Sequence, residues 1–163
     1  MMALMDDQLR YNRQPAYIRF KNDTHYDVEV VWINFHKKEK PYCILPPGQF
    51  LDVNTYATHP WIFRECISKS RMVANGQEVF MAIPWVEEHR RLAFDHPISI
   101  PLRTMVIIKM PGAMELRLLC LLKLVNIIKA KEDIRTLELP VILTKELIQM
   151  IVNKEEYKSR LTN

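Results

Sequence analysis

The hydrophobic period of this chain changes once, near residue 110, and that change constrains the fold more than any other feature. Before it, apolar residues come in short β-branched and aromatic runs separated by turn chemistry. Tyr17-Ile18-Arg19-Phe20 alternates, and Val28 to Phe35 is β-branched and aromatic, with Asn22-Asp23-Thr24-His25 as the turn between them. Further strands are expected at Gln49 to Val53, Pro60 to Ile67, Arg71 to Val73 and Glu78 to Ile83, and Ile98 to Met110 holds at least one more extended segment. Asn75-Gly76 predicts a hairpin between the Arg71 and Glu78 runs. Short strands at this spacing indicate an antiparallel sandwich. After the change, Met114 to Ala130 contains neither Pro nor Gly and predicts a helix. Lys131-Glu132-Asp133 opens a short second helix through Leu137. Pro140 suits the first turn of a third helix running through Ile151, with a charged tail after it. The expected fold class is therefore α+β in two domains. Residues 1–14 are a loose N-terminus, 15–110 an antiparallel β-sandwich, and 111–163 a small three-helix α domain.

Charge and cysteine usage narrow the function classes. The formal net charge is +4, but the Lys and Arg are scattered. The one dense group, His36-Lys37-Lys38-Glu39-Lys40, reads as a solvated loop rather than a nucleic-acid footprint. Three cysteines, Cys43, Cys66 and Cys120, share no metal-ligand spacing, and their odd number favours free thiols in a reducing compartment. His36, His59, His89 and His96 lack ligand spacing too, so neither a metal nor a cofactor is expected. Pairing His59 with Cys43 or Cys66 as base and nucleophile fails for want of an orienting group or an oxyanion site. The N-terminus carries acidic residues where a signal peptide would be basic and then apolar, and no segment reaches about 18 uncharged apolar residues. These features point to the cytoplasm and nucleus, without membrane or nucleic-acid partners.

The stretch Pro41 to Arg64 concentrates the chemistry. Leu45-Pro46-Pro47-Gly48 is a rigid elbow, because each proline fixes its φ and Gly48 tolerates a turn. Around it lie Trp32, Tyr42, Thr55, Tyr56, His59 and Trp61. Aromatic walls with one hydroxyl and one imidazole can hold an apolar ring that carries a polar group. The competing reading is core, since aromatic residues in short strands are mostly buried packing.

The run Trp32-Ile33-Asn34-Phe35, Pro41-Tyr42, Leu45-Pro46-Pro47-Gly48, Thr55-Tyr56-x-x-His59-x-Trp61-x-Phe63-Arg64 resembles the β domain of the von Hippel–Lindau tumour suppressor family. The resemblance implies a non-catalytic substrate receptor of a ubiquitin ligase that binds 4-hydroxyproline in the α subunit of hypoxia-inducible factor. It implies that Trp32, Tyr42, Asn54, Thr55, Tyr56, His59 and Trp61 form that site, Asn54 through its backbone. The Met114 to Ala130 helix is too apolar for a three-helix tail to cover. Its Leu116-x-x-x-Cys120, with Leu121, Leu124 and Ile127, resembles the family's elongin-binding box, which implies elongin C and elongin B as partners. Leu139-Pro140-x-x-Leu143-x-x-x-Leu147 resembles the cullin box that follows, which implies a cullin with its RING protein.

Three features depart from the family pattern. Asn54 stands where vertebrate members have His, and Thr55 stands in place of Ser. Ile98 to Thr104 looks like the end of the last strand, so Met105 to Met114 reads as an insertion: an extra edge strand, a loop or a gene-model artefact. As a result, Glu115 sits where the box has a small or hydroxylated residue. The alternative to the receptor reading is a non-catalytic scaffold that docks elongin through its helix and has no hydroxyproline pocket.

Overall fold

The computed structural model describes residues 12–91, 101–112, 116–128 and 131–161, without the side chains of 131, 135 and 161. The expectations that fall on Ile98 to Ile100 and on Met114 and Glu115 lie outside the described residues. The chain divides into two compact units, Met1–Arg64 with Arg71–Met110, and Glu65–Ser70 with Pro111–Asn163.

The first unit is a β-sandwich of two four-stranded sheets. Its strands are β1 Pro15–Asn22, β2 Val28–Ile33, β3 Glu39–Leu45, β4 Phe50–Tyr56, β5 Pro60–Glu65, β6 Val73–Ala74, β7 Val79–Met81 and β8 Thr104–Lys109. One sheet has the order β4-β1-β8-β6 and the other β3-β2-β5-β7. β1 alternates strictly between half-buried and buried positions, the period-2 signature of a strand with one face on a core. From the two sheets come Ile18, Phe20, Val53, Val106 and Ile108 on one side and Val30, Trp61, Phe63 and Phe80 on the other, forming one core. β1 pairs antiparallel with β4, from Pro15 opposite Tyr56 to Lys21 opposite Phe50. It pairs parallel with β8, from Ile18 beside Thr104 to Asn22 beside Ile108.

The structure differs from the sequence expectations at several points. Met105 to Lys109 is not an insertion at the sheet's edge: it belongs to β8, which lies inside its sheet between β1 and β6. Asn75-Gly76 does form a two-residue turn, with both residues at positive φ (49° and 82°) and reciprocal Ala74–Gln77 backbone hydrogen bonds. The strands it joins then part, β6 to one sheet and β7 to the other. Residues Glu39 and Lys40, expected in a solvated loop, open β3. A short helix, α1 Trp85–Arg91, carries a buried Glu88 bonded to Arg91 three residues on.

The proline elbow is tied down by one buried side chain. Gln49 N–H donates to Pro46 O (3.2 Å), and Gly48 takes φ +72°, which only glycine adopts without strain. Asn22 is fully buried beneath it. Its Nδ2 donates to Leu45 O and Tyr26 O, both at 2.8 Å. Its Oδ1 accepts from Thr24 N–H (3.0 Å) and Thr24 O–H (2.7 Å). Its backbone carbonyl accepts from Gly48 N–H at 2.9 Å.

The second unit contains α2 Leu116–Ile127, a 3₁₀ helix Lys131–Leu137, and α3 Val141–Leu161. α3 therefore continues through the stretch expected to be a charged tail. Pro140 caps it from just outside, its carbonyl accepting Thr144 N–H at 3.0 Å. Among the described residues of these helices, Leu121, Leu122, Val125, Ile134, Leu147, Met150 and Ile151 are buried. Lys154 Nζ donates to Val125 O (2.8 Å) and Asn126 Oδ1 (3.2 Å), placing a cation on a backbone carbonyl in the last turn of α2.

Removing the Asn22 side chain leaves Leu45 O and Thr24 N–H without their side-chain partner. Asn22→Ala is expected to lower unfolding free energy by about 2–4 kcal/mol, read as a fall in urea midpoint at unchanged slope. A loss under about 1 kcal/mol would show that the elbow does not depend on this residue.

Candidate functional site

Two chain reversals in the first unit build the site. The first follows β2. Asn34 Oδ1 accepts the N–H of His36 (2.9 Å) and Lys38 (3.0 Å), and Lys37 takes a positive φ of 57°. This Asx turn pushes Phe35 outward, 81% exposed, while Trp32 stays half-buried behind it. The second reversal joins β4 to β5. Thr58 takes φ 64° and donates its N–H to Ala82 O (2.8 Å), and Ala82 N–H returns to His59 O (3.0 Å). His59 is thereby held by backbone on both sides.

His59 is the centre of the site. Its Nδ1 lies 2.9 Å from Thr55 Oγ1. The rings of Phe35, Trp32 and Tyr56 surround it with centroids at 5.2, 5.5 and 5.7 Å. Thr55 is only 7% exposed, whereas Tyr56 is 52% exposed. Trp61 lies in the sandwich core, and Tyr42 stands edge-on against it at 5.3 Å with its own surface open to solvent. The indole Nε1 atoms of Trp32 and Trp61 are buried and donate to no acceptor among the described residues. A cavity of about 240 Å³ opens beside His59, lined by Asn12, Ile33, Asn34, Phe35, Thr58 and Pro60.

Burial lowers the His59 pKa below the ordinary histidine value, which favours the neutral ring. Neutral His59 and Thr55 together match an alcohol in either tautomer. If Thr55 donates to Nδ1, then Nε2–H remains a donor and Oγ1 an acceptor. If Nδ1–H donates to Thr55, then the Thr55 O–H remains a donor and Nε2 an acceptor. A protonated ring has no acceptor of its own, so the second arrangement is lost and the first is weakened, because Nδ1–H then occupies one of the two Oγ1 lone pairs. Burial also pushes the Cys43 thiol pKa up, the opposite of what a nucleophile requires.

Of the residues singled out by sequence, Trp32, Thr55, Tyr56 and His59 are linked through the ring contacts and the Thr55–His59 bond described above, whereas Tyr42 and Trp61 form a separate pair. The Asn54 side chain is engaged elsewhere: its Oδ1 accepts from Arg103 Nη2 at 3.0 Å. Phe35 is a member of the cluster that sequence reasoning did not single out as a site residue. Its signal was an unpaired aromatic immediately after Asn34 at a strand end.

In the helical unit, Leu116 (75% exposed), Cys120 and Ile127 lie open on α2, as does Leu119, which the sequence reading did not select. Leu124 is half-buried. Leu121, grouped with the surface set from sequence, is 4% exposed and belongs to the buried apolar set of its own unit. On α3 and its approach, Pro140 is exposed and Leu139 and Leu143 are half-buried, but Leu147 is fully buried. Val141 and Ile142 instead present apolar surface.

Because the folded-state pKa of His59 is depressed, the ring's contribution to stability is present above the unfolded value near 6.5 and is lost as pH falls through the lower folded value. A ring-proton NMR titration is expected to give a His59 midpoint below the ordinary histidine value near 6.5. A His59 midpoint at or above it would contradict the buried, neutral assignment.

Residues 9–88 match the VHL beta domain family. Protein Vhl of Drosophila melanogaster is 32% identical over 68 residues, which cover 42% of this chain and 38% of that protein. The match therefore spans well under half the length of that relative. The pocket residues and both chain reversals fall inside residues 9–88, and over that segment the chain is similar to a VHL beta domain.

Proposed function

We propose that this chain is the substrate-recognition subunit of a cullin-RING ubiquitin ligase. It binds 4-hydroxyproline in the α subunit of hypoxia-inducible factor and directs that protein to ubiquitination and proteasomal degradation in oxygen. The observation that carries the reading is the Thr55–His59 pair, walled by Trp32, Phe35 and Tyr56 and neutral by burial. A hydroxylated proline ring offers the complement: an apolar body for the aromatic walls and one alcohol that donates and accepts. Without the alcohol, Thr55 and His59 would be desolvated with nothing in exchange, a penalty that lets such sites reject the bare analogue by roughly 10⁴-fold. The carbonyl of Asn54 is available to take a peptide N–H, and the Tyr42 phenol to meet a peptide carbonyl.

The second half of the reading rests on α2. Leu116, Leu119, Cys120 and Ile127 are open apolar surface on one helix, more than a soluble helix ordinarily leaves uncovered. Elongin C, with elongin B, is proposed to cover it, Leu116 entering a pocket and Cys120 allowing close approach. Leu139, Pro140 and Leu143 are proposed to meet the cullin that brings the RING protein. The compartments are the cytoplasm and nucleus.

The test is one pair of peptides, identical except for the 4-hydroxyl on a central proline, titrated against the full chain co-expressed with elongins B and C. The expected outcome is a preference of at least about 10²-fold for the hydroxylated form, fading in mildly acidic buffer as His59 charges. Equal or absent binding by a soluble complex would remove the receptor reading and leave a scaffold that docks elongin alone.

A further inference from the structure

β4 carries the pocket hydroxyl, yet among the described residues it is an edge strand, paired along one side only with β1. Backbone at a sheet edge is held by half the usual hydrogen bonds, so the placement of Thr55 depends on whatever else grips β4. That grip comes from across the sheet. Arg103 precedes β8, on the far side of β1 from β4. Its Nη1 donates to Ile18 O on β1 (3.1 Å) and Val53 O on β4 (3.3 Å). Its Nη2 donates to Asn54 Oδ1 (3.0 Å), and its Nε stands 3.6 Å from Asp52 Oδ2. Asp52 is in turn held by two 2.7 Å bonds from Arg19, the main reason its carboxyl lies below the usual carboxylate range. One guanidinium thus spans three consecutive β4 residues that end immediately before Thr55.

We infer that Arg103 is a positioning residue for the hydroxyl-reading pair, acting through Asn54. This rests on the receptor reading given above. Arg103 touches neither Thr55 nor His59. It fixes the two residues before Thr55 against β1, and holds the Asn54 carboxamide on the outward face so that only its backbone faces a bound peptide. The planar fork is what the geometry uses: Nη1 serves the two backbone carbonyls, Nη2 the carboxamide, and Nε faces Asp52, a spread of acceptors that the single nitrogen of an ammonium does not match. Asn54 and Arg103 therefore work as a unit, which makes Asn54 a functional replacement for the family's His rather than a tolerated change.

The experiment titrates the hydroxylated and bare peptides against the full chain with elongins B and C, as wild type, Arg103→Met, Asn54→Ala and the double variant. Arg103→Met is expected to lower the preference for the hydroxylated peptide by about fivefold, with the double variant within about twofold of it, as coupled residues behave. A purely structural role would lower the thermal midpoint and weaken both peptides together, leaving the preference intact, and that result overturns the inference. So does additive loss in the double variant. If Arg103→Met does not fold, Arg103→Lys replaces it: reduced preference supports positioning by the fork, and a wild-type preference refutes it. Absence of preference in the unsubstituted chain is a different failure, that of the receptor reading itself, and it is seen before any variant is made.

Discussion

Phe20 on β1 meets three rings of the opposite sheet, Trp61 at 5.4 Å, Phe63 at 5.0 Å and Phe80 at 5.8 Å. These contacts join the two sheets at one buried aromatic cluster, with Phe63 and Phe80 close to edge-on. Trp61 is fixed on its inner side by Phe20, so its outer side becomes a rigid base for Tyr42. The strand that Trp61 occupies begins just after His59, and β1 also sets the register of β4 with its Thr55. The site therefore inherits its geometry from the core. Its hydroxyl comes from one sheet, its indoles from the other, and its imidazole from the turn that joins them.

The chemistry of the site follows from burial as much as from residue type. An exposed Thr–His pair would titrate near neutrality and trade partners with water at little cost. Enclosed by Trp32, Phe35 and Tyr56, the His59 ring is kept neutral and the pair is left with one donor and one acceptor to place. That arrangement rewards a ligand with an alcohol and penalises one without.

Much of this was legible from residue order. The alternation in β1, the Pro46-Pro47-Gly48 elbow and the Pro- and Gly-free apolar run of α2 are local signals, and local physics enforces them. Part of the ring cluster was legible as well, since Tyr56 and His59 share one stretch and Trp32 lies shortly before it, but Phe35 was not singled out. What sequence could not show was pairing across distance. Asn75-Gly76 specifies a tight turn but not that its arms enter different sheets. The Met105 to Lys109 run reads as surplus until β1 is seen to need a parallel neighbour. β3 was hidden by the charge of Glu39 and Lys40 and by Pro41, all tolerated at a sheet edge. Leu121 and Leu147 share the apolarity of their neighbours, and only packing shows that they face inward. Arg103 reaches Asn54 from 49 residues away, a link that no spacing rule anticipates.

The most direct test of the central claim is Thr55→Val, which keeps the shape and removes only the hydroxyl. Affinity for the hydroxylated peptide and its bare counterpart would be measured on this variant and on the unsubstituted chain. The account predicts that the variant folds, binds the bare peptide as before, and loses most of the preference for the hydroxylated one. A preference that survives the substitution would mean that the alcohol is read elsewhere, and that the Thr55–His59 pair is packing.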